Sequence, residues 1–279
     1  MQTEQDIKEM VKQKYSEIAL QNKEINALSC CGATSSSCCG AGTYTIMSEE
    51  YNELEGYNPD ADLGLGCGLP TQFAKIKKGD VVIDLGSGAG NDCFVARAET
   101  GDTGKVIGID FTPAMIEKAR LNAEKLGYNN VEFRQGDIEN MPVTANTADV
   151  IVSNCVLNLV PNKEAVFSEI YRVLKVGGHF SISDIVLIGE LPDKIKSAAE
   201  MYAGCIAGAT KKEEYLGYIE KACFKNITLQ KEKPIIIPDD ILKNYLTAAE
   251  ITEYKSKPTA IYSITVYAEK RSCCNTGCC

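Results

Sequence analysis

The chain lacks an excess of basic residues and lacks long apolar runs. Its 279 residues carry 29 Lys and Arg against 38 Asp and Glu, which gives a formal net charge of −9. Because binding to a polyanion needs clustered Lys and Arg, we expect no nucleic-acid partner. No uncharged apolar run reaches roughly 18 residues, so we also expect no membrane span and no membrane partner.

The chain also lacks the pattern of a secretion signal and has little histidine. The polar, acidic start MQTEQDIKEM does not have the pattern of a signal peptide, and it predicts a soluble, cytoplasmic protein. The chain has one histidine, His179, which opens a predicted strand and is interpreted as structural. Reactions that need a histidine as general base are therefore disfavoured.

Cysteine, in contrast, is abundant, with 13 residues. A secreted scaffold held by disulfides is one interpretation of such a count. The length of the chain, the absence of a secretion signal and the odd number of cysteines count against that interpretation. In a reducing cytosol the thiols would instead be available for a soft element or for redox chemistry.

From residue 80 onward, apolar runs alternate with helical stretches. This alternation predicts a doubly wound parallel sheet of the α/β class. The predicted strands are 80–85, 105–110, 130–135, 148–154 and 179–186. The predicted helices are 4–27, 92–100, 113–127 and 162–175, the last of them closed by Gly177 and Gly178.

The chain after residue 188 has a different pattern. Residues 193–223 are predicted to be mainly helical. A late strand pair at 226–231 and 259–270, with a helix at 239–249 between its members, predicts a small C-terminal α+β appendage.

The turn DLGSGAG, which follows the first predicted strand, indicates a ligand site at a helix N-terminus. A dinucleotide fingerprint requires glycine where Asn91 stands, and Asp84 before the turn suits a cationic amino-acid group better than a pyrophosphate. Asp110 ends the second strand, where an acid can bind ribose hydroxyls, and Asp137 follows the third, where it can face an adenine edge. The alternative interpretation is a tight turn with solvated acids.

Residues 80–188 resemble the class I S-adenosylmethionine methyltransferases, which have a Rossmann-like fold. Five motifs resemble the arsenite methyltransferases in particular. They are GSGAGNDCFVAR, IGIDFTPAMIEKAR, GDIENMP, SNCVLNL and the upstream LGLGCGLP. The resemblance implies methyl transfer from S-adenosylmethionine to trivalent arsenic, as a detoxification. It also implies cofactor contacts from Tyr15, Asp84, Gly86, Ser87, Gly88, Asn91, Asp110, Met115, Asp137, Ile138 and Asn154.

The sequence patterns, together with this resemblance, divide the chain into five segments. An N-terminal helix and Cys-rich loop that close over the site come first, and the cofactor-binding domain follows. An arsenic-binding helical segment, a C-terminal α+β segment and a disordered Cys-rich tail complete the chain. These segments cover 1–79, 80–188, 189–225, 226–271 and 272–279.

The resemblance further places arsenic-binding, catalytic thiols at Cys67, Cys155 and Cys205. Each of these alone is equally compatible with a small buried apolar residue. The glycines beside Cys67 are expected to leave its sulfur accessible, and Cys38 or Cys39 is a candidate disulfide partner for it. Cys93 and Cys223 are interpreted as core residues, and the tail as dispensable, with delivery of arsenic to the site as the alternative.

Two rival functions remain open from the sequence. One is a methyltransferase acting on a lipid or quinone, in which the cysteines are incidental. The other is a metalloid buffer or sensor that has the fold without catalysis, although a buffer would need no cofactor turn. For the arsenite methyltransferase, the substrates are arsenite and methylarsenite, and the expected partner is a thiol reductant of the thioredoxin or glutathione class.

Overall fold

The computed structural model describes residues 4–21, 49–196, 208–257 and 259–271. In these ranges the chain builds a seven-stranded sheet in the order β3-β2-β1-β4-β5-β7-β6. The strands are β1 Val81–Leu85, β2 Lys105–Asp110, β3 Val131–Gln135, β4 Ala148–Asn154, β5 Leu174–Ile188, β6 Lys225–Ile235 and β7 Ala260–Glu269. The first five strands are parallel, and β7 pairs antiparallel with both β5 and β6.

Helices cover both faces of this sheet. They are α1 Glu4–Ala19, α2 Pro70–Phe73, α3 Asn91–Thr100, α4 Pro113–Lys125, α5 Lys163–Val173, α6 Asp193–Lys196, α7 Lys212–Lys221, α8 Asp239–Leu242 and α9 Ala248–Ser256. Neighbouring strand residues point to opposite faces, so Val82 packs in the cluster around Phe94, and Ile83 packs in the cluster around Phe167. This arrangement confirms the predicted doubly wound α/β class.

The strand order reverses between β1 and β4. From β1 the chain proceeds outward to β2 and β3, and β4 then begins the other half on the opposite side of β1. Ligands of such sheets bind beyond the carboxyl ends of the strands at this switch point. The fold therefore directs attention to the residues that follow β1 and β4.

Each predicted strand overlaps an observed one, and the agreement is closest for β1, β2 and β4, which are buried apolar runs. Several predicted boundaries of helices were wrong. Gly177 and Gly178 do not close the helix of 162–175, because the helix ends at Val173 and both glycines belong to β5. The single helix expected at 239–249 is two short helices, α8 and α9, and Thr247 caps the second with its side chain.

The N-terminal helix α1 also ends earlier than predicted, at Ala19. Lys118 of α4 donates hydrogen bonds from its Nζ atom to the carbonyl oxygens of Ala19 and Gln21, at 3.0 and 3.1 Å. A cation at the carbonyl end of a helix is favourable, so this contact ties α1 to α4. None of the helices in the described ranges has the length and apolar content that crossing a membrane requires.

Candidate active site

A large cavity lies at the switch point, beyond the carboxyl ends of β1, β2, β3 and β4. It encloses about 1080 Å³ of empty space, part of which is open to solvent. Helix α1 and the loop before α2 form its remaining walls. Of the residues proposed from the sequence, the lining includes Tyr15, Gly86, Ser87, Gly88, Asn91, Asp110, Met115, Asp137, Ile138, Asn154 and Cys155.

The turn after β1 brings backbone directly to the cavity. Gly86 has a φ of +67°, and a Cβ atom there would lie 2.4 Å from Cγ2 of Val156. Its N–H and that of Ser87 donate to the carbonyl oxygen of Ile109, at 2.8 and 3.0 Å. A residue other than glycine would be strained in this conformation and would also collide with Val156. The glycine is required here for a close approach between two strand tips.

Asp110 ends β2 at the cavity, and its carboxylate is held by the backbone. Oδ2 accepts a hydrogen bond from the N–H of Gly88 at 3.0 Å, and Oδ1 accepts one from the N–H of Thr112 at 2.8 Å. Burial raises the pKa of Asp110, and these two hydrogen bonds oppose that rise. The carboxylate is therefore fixed in orientation at the tip of its strand.

Asp137, beyond β3, is paired with a residue that the sequence analysis missed. Nζ of Lys8, on α1, lies 2.7 Å from Oδ2 of Asp137 and also contacts Glu139. Burial lowers the pKa of Lys8, but its hydrogen bonds to these two acids raise it overall. Lys8 lines the cavity and joins α1 to the far side of the site. Its only sequence signal is a basic residue within a predicted amphipathic helix.

Asp84 stands apart from the other two acids. It is buried behind the glycine turn and is absent from the residues that line the cavity. Its Oδ2 accepts a hydrogen bond from Sγ of Cys93 at 3.2 Å. Burial, together with the nearby carboxylate of Asp92, raises the pKa of Asp84 well above its usual range. The structure thus brings Asp110 and Asp137 to the cavity and leaves Asp84 in the layer beneath it.

Cys67 and Cys155 lie in one apolar cluster at the β4 side of the cavity. Cys155 lines the cavity, has a φ of +59°, and donates its N–H to the carbonyl oxygen of Ser183 at 2.8 Å. Cys67 is 0% exposed, so the expectation that its glycine neighbours expose the sulfur was wrong. Those glycines instead let the loop pack tightly on the sheet. Cys38, Cys39 and Cys205 lie outside the described residues.

A hydrogen-bonded group of Tyr51, Asp92 and Asn154 forms the wall between the thiols and the glycine turn. The hydroxyl of Tyr51 donates to the carboxylate of Asp92 at 2.9 Å, and Nδ2 of Asn154 donates to that hydroxyl. Burial raises the pKa of Asp92 to about 6, against the lowering effect of these two partners. Burial and Asp92 raise the pKa of Tyr51 well above its usual range. The sequence analysis missed Tyr51 and Asp92, because no local motif marks either residue.

A second buried polar group lies close to the thiol cluster. Asp184 of β5 accepts hydrogen bonds from Nδ2 of Asn158 at 2.8 Å and from the hydroxyl of Tyr215 at 3.3 Å. Burial raises the pKa of Asp184 to about 7. An acid in the middle of the apolar run HFSISDIV was the available sequence signal for this group.

Within the described ranges, two further cysteines and the histidine lie away from the cavity lining. Cys93 is buried in α3, which confirms its interpretation as a core residue. Cys223 is only half-buried, with a φ of +67° just after α7, so its interpretation as core was wrong. Nε2 of His179 lies 2.5 Å from the carbonyl oxygen of Ala74, and its ring packs on Tyr267, as a structural histidine would.

Comparison with known proteins defines the class of the molecule. Residues 76–223 match a family model that is described as a methyltransferase domain. Together with the sheet order and the cavity at the switch point, this match defines a Rossmann-like methyltransferase.

More similar relatives narrow the class. The arsenite methyltransferase of Halobacterium salinarum is 40% identical over 81% of this chain and 59% of that protein. That of Aquipseudomonas alcaligenes is 31% identical over 85% of this chain and 68% of that protein. The solved arsenic(III) S-adenosylmethionine methyltransferase of Chlamydomonas reinhardtii has a TM-score of 0.63 and 34% identity, covering 75% of this chain and 68% of that one. The chain belongs to the arsenite methyltransferase family and spans about three fifths of the Halobacterium relative's length.

Proposed function

We propose that this protein transfers methyl groups from S-adenosylmethionine to trivalent arsenic bound by its own thiols. The observation that carries the proposal is the position of Cys155. This thiol stands in the wall of the same cavity as the glycine turn and Asp110, and it shares an apolar cluster with Cys67. A cofactor pocket and a pair of soft ligands are thus adjacent.

The cavity has features that fit the cofactor. Ser87 Oγ is buried and has no hydrogen-bond partner among the residues described, so a ligand can supply one. A Cβ atom on Gly88 would meet nothing within 4 Å, so this part of the turn is open to the cavity. We assign the methionine end of the cofactor to the turn with Asn91, the ribose to Asp110, and the adenine to Met115, Asp137 and Ile138. Tyr15 of α1 would cover it.

Arsenic is the substrate, and the thiols are its ligands. Each thiol that binds arsenite gives its proton to a leaving hydroxyl, so that a sulfur–arsenic bond and one water form. When bound, S-adenosylmethionine supplies a methyl group on a sulfonium, for which thiol-bound arsenic(III) offers a lone pair. Such an acceptor needs no general base, in agreement with the structural position of His179.

A thiol pair of the chain would return the arsenic to the trivalent state. Methylation oxidises arsenic formally by two electrons, and two thiols supply them by forming one disulfide with loss of two protons. Cys67 with Cys38 or Cys39 is our candidate pair. We assign Cys155 and Cys205 as the two arsenic ligands that both substrates use, and Cys67 as the third ligand that only arsenite needs. A reductant of the thioredoxin or glutathione class would then reduce the disulfide. This chemistry suits the cytoplasm, where thiols are kept reduced.

The test is arsenic speciation with the purified full chain. The protein is incubated with arsenite, S-adenosylmethionine and a thiol reductant, and the arsenic species are separated and measured. The proposal expects methylated arsenicals that require all three additions. If arsenite remains unmethylated while the cofactor binds, the function is a different methyl transfer or none.

A further inference from the structure

The side-chain amide of Asn154 joins the two halves of the thiol site. Asn154 is the last residue of β4 and directly precedes Cys155. Its Oδ1 accepts the N–H of Cys67 at 3.0 Å, and its Nδ2 donates to the carbonyl oxygen of Gly68 at 2.8 Å. One side-chain amide therefore binds two backbone groups of the loop, the N–H of Cys67 and the carbonyl oxygen of Gly68.

The loop that carries Cys67 is shaped for this contact. A Cβ atom on Gly66 would lie 2.6 Å from Nδ2 of Asn154, and one on Gly68 would lie 2.5 Å from Oγ of Ser183. Ser263 of β7 holds the opposite side of the loop, because its Oγ donates to the carbonyl oxygen of Cys67 at 2.5 Å. Glycine at both flanking positions is thus what permits the loop to lie on the strand tips.

The position of Cys155 is also linked to Asn154, because the two residues are neighbours in the sequence. Cys155 follows Asn154 in a left-handed backbone conformation, which non-glycine residues seldom adopt, and its N–H donates to Ser183. Hydrogen bonds from Nδ2 of Asn154 to Tyr51 and Asp92, in addition to those with the loop, leave its amide little choice of orientation.

From these contacts we infer that Asn154 is a positioning residue, which holds the Cys67 loop in place beside Cys155 so that both sulfurs can bind one arsenic atom. The inference rests on the proposed function. It assigns the Asn154 side chain to the thiol site and not to the cofactor. Arsenite has three exchangeable oxygens and methylarsenite has two, so the arsenite reaction depends more on a third, correctly placed thiol.

The experiment compares Asn154→Ala and Asn154→Asp with the parent chain. Aspartate keeps an oxygen for the Cys67 N–H but turns an acceptor toward Gly68 and Asp92. Both variants should lower kcat/KM for arsenite about tenfold or more, chiefly through KM, with a smaller loss for methylarsenite. Affinity for S-adenosylmethionine, measured by calorimetry, should change less than about twofold. Ser263→Ala removes one hydrogen bond to the same loop. It should also lower kcat/KM more for arsenite than for methylarsenite, but by less than the Asn154 variants do.

Asn130→Ala is the matched control. Asn130 also bridges loops through its amide, because Nδ2 donates to the carbonyl oxygens of Gly101 and Gly104 at 2.9 Å. It lies at the amino ends of β2 and β3, away from the cavity at the carboxyl ends. It should leave the ratio of the two substrate activities unchanged. Weaker cofactor binding with equal loss on both substrates in Asn154→Ala would make Asn154 a cofactor contact and overturn the inference.

A second readout is independent of activity. In reduced protein without substrates, Asn154→Ala should speed alkylation of Cys67 by iodoacetamide about tenfold, as judged by peptide mass spectrometry. Alkylation of Cys93, which is equally buried, should not change. If the parent chain methylates no arsenical but Asn154→Ala still speeds alkylation of Cys67, the proposed function is refuted and the positioning role of Asn154 is kept. Equal alkylation rates at Cys67 in parent and variant, or parallel increases at Cys67 and Cys93, would refute the positioning role of Asn154.

Discussion

The two halves of the cavity wall are built in different ways. The cofactor half comes from short sequence motifs at the tips of β1, β2 and β3, each next to its own strand. The thiol half is assembled from distant segments, because Cys67 bonds to Asn154, 87 positions away, and to Ser263, 196 positions away. A pocket shared by a whole fold class can thus be local in sequence, whereas the part that holds Cys67 beside Cys155 depends on tertiary packing.

The largest effect that separates the two halves is expected for Cys155→Ser. Serine is a harder ligand than thiolate and binds arsenic(III) weakly. The change should lower methylation of arsenite and of methylarsenite by about two orders of magnitude or more, with S-adenosylmethionine affinity kept. Parallel activity and calorimetric assays check this expectation. Robust turnover would remove Cys155 from the thiol half.

Gly86→Ala tests the cofactor half by its backbone. Gly86 and Gly127 share a φ of +67°, but a Cβ atom meets Val156 at the first position and open space at the second. Both alanine variants bear the conformational cost of roughly 1–2 kcal/mol. Only Gly86→Ala should lower cofactor affinity, by more than about tenfold, and it should melt at the lower temperature. Equal melting temperatures and affinities would mean that the close approach is unimportant.

Two buried acids, Asp110 in the cofactor half and Asp184 close to the thiol half, should also behave differently. Asp110→Ala is expected to weaken S-adenosylmethionine binding by about 1.5–3 kcal/mol, since it removes charged acceptors at the ribose position. Calorimetry on the folded variant measures the change. An unaltered affinity would take the ribose contact away from Asp110.

Asp184, which is buried close to the thiol half but outside the cavity lining, should govern pH-dependent stability instead. Its pKa of about 7 in the folded protein lies above the usual value of 3.8, so folded Asp184 keeps a proton that the unfolded chain releases. Stability should therefore fall as pH rises between about 4 and 7, by up to roughly 1.4 kcal/mol per pH unit from this group. Asp184→Asn should reduce that slope in denaturant titrations at several pH values. An unchanged slope would assign the dependence to other groups.

The cofactor half and the thiol half also differ in how well the sequence predicts them. The parallel strands and the glycine turn were predictable, since buried runs and turn chemistry are local patterns. The burial of Cys67 was not, because it depends on Ser183, Ser263 and Asn154 arriving from other strands. Tyr51 and Lys8 were missed for the same reason. The end of α5 was misjudged because Gly177 and Gly178 continue into a long strand that pairs with β7.

The measurement that tests the central claim most directly is the activity of Cys67→Ser on the two arsenicals. If thiols beside the cofactor cavity hold the arsenic, arsenite needs Cys67 as a third ligand, and methylarsenite needs only two thiols. With one reductant and saturating cofactor, the variant should lose methylation of arsenite and keep much of its activity on methylarsenite. Full activity on both substrates, with S-adenosylmethionine still bound, would contradict the account.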